Sequence, residues 1–174
     1  MRFHVVSAIL NIFKSKATEK IRFRREFDQI GFKLKEEIDR CFGRSLAIRA
    51  LDSGSDNSPE IELVNLTTPH YDIERFGISF VASPRHADVL AVTGPVTRNM
   101  AEAVLKTYNA TPSPKFVIAI GDDACDGGIY KDSYAVVGGV YKIIPVDMKI
   151  PGNPPPPINI LKGLLELMRK IRKQ

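Results

Sequence analysis

Five short runs of β-branched and small apolar residues constrain this chain most: Ser45–Leu51, Ile78–Ala82, Val89–Thr93, Phe116–Ile120 and Ile143–Val146. Runs of this length and composition suit buried strands. Segments of helical period separate them. Glu60–Leu66 opens with acidic residues, which favour a helix N-terminus. Val96–Tyr108 places Met100, Val104 and Leu105 on one side, with Thr97 as a candidate cap. At the end, Ile158, Leu161, Leu164, Leu165, Met168 and Ile171 form an apolar stripe that Pro154–Pro157 introduces rigidly. Strands alternating with helices predict an α/β domain with a parallel sheet covered on both faces. Any ligand of such a sheet sits at the carboxyl ends of its strands.

The first 43 residues read differently. Val5, Ala8, Ile9, Ile12 and Phe13 recur at helical spacing, and Lys16–Arg25 is basic with Ile21 and Phe23 interleaved. Phe27, Ile30, Phe32, Leu34 and Ile38 then continue an irregular apolar pattern. We expect an N-terminal amphipathic and basic extension over 1–43, outside a main domain over 44–174. Charge supports the division. Residues 1–50 hold twelve Lys/Arg against six Asp/Glu, residues 51–161 eight against thirteen, and residues 162–174 five against one. Basic ends of this kind suit anionic lipid headgroups, an acidic protein surface or nucleic acid. No apolar run approaches the roughly 20 residues that span a bilayer.

The loops after the expected strands are Asp52–Pro59, Thr93–Thr97, Gly121–Gly128 and Pro151–Pro157. They are rich in Gly, Ser, Asp and Pro, and none has a Walker or dinucleotide spacing, which argues against a nucleotide site. Asp56, Glu60, Glu62, Asp122, Asp123 and Asp126 put carboxylates on two of them, a donor set suited to a hard cation such as Mg²⁺ or Ca²⁺. With Cys41 and Cys125 as the only two cysteines, the chain cannot supply four thiolates to an iron–sulfur cluster. Both are expected to pack as small hydrophobes.

Six segments in unbroken order carry a resemblance. They are Asp52-Ser-Gly-Ser-Asp-Asn-Ser-Pro-Glu-Ile-Glu62, Tyr71-Asp-Ile-Glu-Arg-Phe-Gly77, Ser83-Pro-Arg-His-Ala-Asp88, Thr93-Gly-Pro-Val-Thr-Arg-Asn-Met100, Gly121–Gly128, and Ile144-Pro-Val-Asp through Ile150-Pro-Gly-Asn-Pro-Pro155. From about Arg44 onward the chain resembles the small subunit of membrane-bound, energy-converting NiFe hydrogenases and the similar 20 kDa subunit of respiratory complex I, the NADH:quinone oxidoreductase. The resemblance implies a flavodoxin-like, three-layer domain that binds one 4Fe-4S cluster and relays electrons to a large subunit. It also implies hydrogenase-like or complex I-like large, ferredoxin-like and membrane subunits as partners, no nucleic acid, and a peripheral place on the cytoplasmic face of the cell membrane.

In the family four cysteines hold the cluster, in C-x-x-C, G-x-C-A-x-x-G-G and P-G-C-P-P loops. Here those places are Asp56, Pro59, Asp123 and Asn153. A carboxylate or amide is a poor substitute for a thiolate on iron, and proline has no side-chain donor. The resemblance therefore implies a degenerate, cluster-free small subunit with a structural role, without a cofactor and without catalysis of its own. Glu62 matches a family glutamate suited to proton movement or an ion pair. Arg85 and His86 match a segment in which the arginine orders loops and the histidine is a candidate for proton handling. Two alternatives are a different metal or cofactor in the vacated pocket, and a stand-alone flavodoxin-like ligand-binding protein.

Overall fold

The computed structural model describes residues 22–173. The amphipathic stretch Val5–Phe13 and the basic residues up to position 21 lie outside the described residues. Five strands, β1 (Leu46–Asp52), β2 (Ile78–Phe80), β3 (Val89–Thr93), β5 (Phe116–Ile120) and β7 (Met148–Ile150), form one parallel sheet in the order β2-β1-β3-β5-β7. A separate antiparallel pair joins β4 (Val96–Thr97) to β6 (Val136–Gly138). Within the main sheet the order reads 2-1-3-4-5 along the chain, which is the flavodoxin-like order.

Side chains alternate across each strand and feed two cores. Val89 and Ala91, with Ile118 and Ile120, face helices α1 (Arg22–Phe42), α2 (Ser58–Thr67) and α5 (Pro157–Arg172). Leu90 and Val92, with Val117 and Ala119, face α3 (Arg98–Ala110) and the short α4 (Asp122–Asp126). The result is three layers with the sheet in the middle.

The N-terminal part does precede the sheet as a helix, yet from residue 22 it is no loose extension. Phe27, Leu34 and Ile38 of α1 are buried in the larger core against α5. Each such side chain contributes roughly 1.5–3 kcal/mol when fully buried. Arg172 donates to both Glu37 carboxylate oxygens at 2.9 Å, and Lys162 donates to Glu26 at 2.9 Å. The second pair sets the beginning of α1 beside the beginning of α5. Since α5 follows β7 directly, α1 starts on the side of the sheet where the strands' carboxyl ends lie. The irregular spacing of apolar residues hid this role, because α1 packs on a helix and on the Ile73–Phe76 turn at once.

Ile143–Val146 is not a strand. Pro145 has no N–H for a ladder, and the N–H groups of Ile143 and Ile144 bond back to the Val140 carbonyl at 3.0 and 3.1 Å. The fifth strand starts later, at Met148 opposite Ile118. Asp147 guides it in: its N–H donates to the Val117 carbonyl at 2.9 Å, and its carboxylate accepts the Val117 N–H at 2.8 Å.

Candidate functional site: four converging loops

The loops after β1, β3, β5 and β7 meet at one end of the sheet, as parallel strands require. Close backbone approach makes this meeting tight. The first two loops are joined through Ser53, fully buried, whose hydroxyl lies 2.8 and 2.9 Å from the carbonyls of Thr93 and Gly94. Thr97 N–H returns a bond to the Ser53 carbonyl at 2.9 Å. A Cβ at Gly94 would overlap the Ser55 backbone, and its φ of 71° suits glycine in any case.

The other two loops are joined the same way. Gly121 N–H donates to Ile150 O, and Asp122 N–H donates to Gly152 O, both at 2.9 Å. The Asp122 carboxylate accepts the Gly152 N–H at 2.9 Å. Across the gap, Pro59 Cγ comes within 3.7 Å of where a Gly121 Cβ would sit, and Gly152 O within 3.5 Å. Three of the four loops therefore touch around Gly121.

On this frame the four positions singled out from the sequence fall as follows. Asp56 is exposed and turned back on its own loop, accepting the Ser58 N–H at 2.9 Å and the Ser58 hydroxyl at 2.6 Å. Those two bonds hold its carboxyl below the usual range. Pro59 is buried in the first turn of α2, where a missing N–H costs nothing. Asp123 is 8% exposed, and burial first, then the nearby Asp56 and Asp122 charges, push its carboxyl up. Asn153 is exposed.

Glu62 is half-buried and accepts an Asn65 amide hydrogen bond at 3.4 Å. His86 and Arg85 are exposed in the Pro84–His86 turn, and neither side chain has a hydrogen bond or ion pair among the described residues. The bonds that tie that segment to β1 come from its aspartate. Asp88, 7% exposed, takes both Arg44 guanidinium nitrogens at 2.9 and 2.6 Å and the Ala47 N–H at 3.0 Å. That joins the start of β1 to the start of β3 by charge-assisted bonds. The clue was available, since Arg44 and Asp88 flank apolar strands that a parallel sheet brings side by side.

The residues present do not fit a 4Fe-4S cluster. Cys125 is the one thiol near the loops, and its Sγ lies 3.7 Å from Ala119 O inside the smaller core, with burial raising its pKa to about 11. A thiol in that state is inert packing. Cys41 lies far away on α1, Sγ 3.8 Å from Met168 O. Nor do the carboxylates assemble into a cation site: among the described residues no three His, Cys, Asp or Glu side chains converge as a metal site requires.

The buried Asp123 gives a test of this electrostatic reading. Its folded-state pKa is raised, so its stabilising contribution is present at low pH and lost as pH rises through that pKa. Asp123→Asn should therefore raise the melting temperature at pH 7 by about 2–4 °C, and the gain should vanish near pH 4. A variant less stable than the parent at pH 7 would show that the charged carboxylate is needed.

The fold and the loops define a class: a flavodoxin-like domain whose four carboxyl-end loops gather at one end of a parallel sheet. The family model for the NADH ubiquinone oxidoreductase 20 kDa subunit matches residues 57–167, and the chain belongs to that family. It is 44% identical over 137 residues to the probable membrane-bound hydrogenase subunit mbhJ of Pyrococcus furiosus, covering 79% of this chain and 82% of that one. An uncharacterised protein of Methanocaldococcus jannaschii is 48% identical over 127 residues, covering 73% of this chain and 85% of its own. Among solved structures, a chain of the membrane-bound sulfane sulfur reductase, an archaeal respiratory membrane complex, superposes with a TM-score of 0.67 at 35% identity. That match covers 82% of this chain and 77% of the other.

Proposed function

We propose that the protein is a small subunit of a membrane-bound, hydrogenase-like assembly in which it keeps the architecture of an electron-relay subunit without the relay. One observation carries the reading: the loops are closed in two pairs by hydrogen bonds, the first pair through Ser53 and the second through Asp122, while Asp56, Pro59, Asp123 and Asn153 offer no thiolate between them. A cluster normally supplies cross-links and volume at such a place. Here Ser53, Asp122 and Pro59 do so instead. The relatives' membership in membrane-bound complexes supports large and membrane subunits as partners.

The test is anaerobic reconstitution with iron and sulfide, followed by desalting, iron counting and EPR. We expect well under one iron per chain. Stoichiometric iron with a reducible cluster signal would overturn the proposal.

Attachment is assigned to the N-terminal segment, where Lys14, Lys16 and Lys20 follow an apolar helical pattern. No helix among the described residues is long and apolar enough to cross a membrane. Removing residues 1–21 leaves α1 whole, so the truncated chain should stay folded yet leave the membrane fraction. Unchanged sedimentation with membranes would count against this attachment. The cytoplasmic face follows from the same reading, as the side on which the basic segment meets anionic headgroups.

A further inference from the structure

A second feature lies beside the loops. A groove of about 430 Å³ runs between α2 and the ends of β1 and β2, lined chiefly by Leu63, Val64, Phe80, Val81 and Ala82. Ile61 and Val64 stand 58% and 65% exposed on the adjoining face of α2. One polar atom at the groove lacks a partner among the described residues: Glu60 Oε1 is shielded from solvent with no hydrogen bond, although Ser55 holds the other Glu60 oxygen at 2.6 Å. An unpaired shielded polar atom is costly, and a partner group would recover that cost.

The strand bordering the groove is itself open among the described residues. β2 ends the sheet, and its links to β1 run through the Gly77 carbonyl, which accepts the Leu46 N–H at 2.8 Å, and the Val81 N–H, which donates to Ile48 O at 2.9 Å. By the alternation of a parallel ladder, the N–H and C=O of Phe80 point the other way, off the edge. Natural edges are usually blunted by shortness, charge or proline, and β2 with its three residues is short. From Gly77 to Ser83 there is neither charge nor proline, whereas the opposite edge strand, β7, carries Lys149.

We infer that an extended segment of another subunit docks here by adding a strand to β2, with an apolar side chain seated between Val64 and Phe80. An extended backbone supplies what the site lacks: an N–H for Glu60, and both an N–H and a C=O for Phe80. A lipid tail supplies none of them, and a helix has spent its backbone groups internally. The inference rests on the proposal that the chain is an assembly subunit.

The experiment uses the full-length chain in its native assembly, with a photo-crosslinking phenylalanine analogue at exposed Ala82 and, as control, at exposed Asn109 on α3. Amide exchange at Phe80 is compared between the isolated chain and the assembly. Expected are a crosslink from position 82 alone to one extended segment of a different subunit, and exchange at Phe80 slowed at least about 100-fold in the assembly. Val64→Asp, at an exposed position, should cut the crosslink roughly tenfold and leave the isolated chain's melting temperature unchanged. A crosslink to lipid, to a second copy of this chain or to a helix, or unchanged Phe80 exchange within an intact assembly, would overturn strand addition while sparing the subunit reading. A chain found in no complex would overturn both.

Discussion

Placing four cysteines, as Asp56→Cys, Pro59→Cys, Asp123→Cys and Asn153→Cys together, should let the chain bind about four irons under anaerobic reconstitution, against well under one expected for the parent. The expectation follows from the backbone. The loops still converge, with Gly121 and Gly152 at the contact point and Asp122 bonding across it. Pro59 is the informative member of the set. Its ring fills space beside Gly121, so its replacement opens room as well as adding a donor. Asp123→Cys should be tolerated even without iron, because it removes a charge from a shielded position. A folded quadruple variant that takes up no more iron than the parent would show that the loop geometry, and not only the missing thiols, is unsuited to a cluster.

The second large effect is mechanical and lies where α1 meets the rest of the fold. Phe76 is fully buried, packs edge-on to Phe32 at 5.3 Å, and sits under Arg75 with the guanidinium carbon 4.5 Å from the ring centroid. Its ring occupies the space that a side chain at Gly31 would need. Phe76→Ala should cost about 3–5 kcal/mol through lost burial and a cavity. Gly31→Val should cost about 1–3 kcal/mol through overpacking. Combined, the two should cost less than their sum by about 1 kcal/mol or more, because the new side chain enters the volume the ring leaves. Strict additivity in chemical denaturation would show that α1 and the Ile73–Phe76 turn are not packed as described.

Local pattern determined much of this protein. β-branched runs gave β1, β2, β3 and β5 nearly to the residue, and a six-member apolar stripe gave α5, because both signals are periodic and contiguous. The absence of thiols at four loop positions was equally plain, since it depends only on residue identity. Other features depend on residues distant in the chain. Whether Phe27, Leu34 and Ile38 form an appendage or a core layer is decided by α5 and by the Ile73–Phe76 turn, more than thirty residues away. That Ile143–Val146 bends while Met148–Ile150 pairs is decided by Val117, which Asp147 meets from both its backbone and its carboxylate. Asp88 finds its partner because β1 brings Arg44 alongside it. The open edge at Phe80 exists only once the strand order is known, since the same residues in a central strand would have both sides paired. Sequence period reports how a segment meets water and apolar surroundings on average. Only the tertiary structure supplies the partner that each polar group finds or lacks.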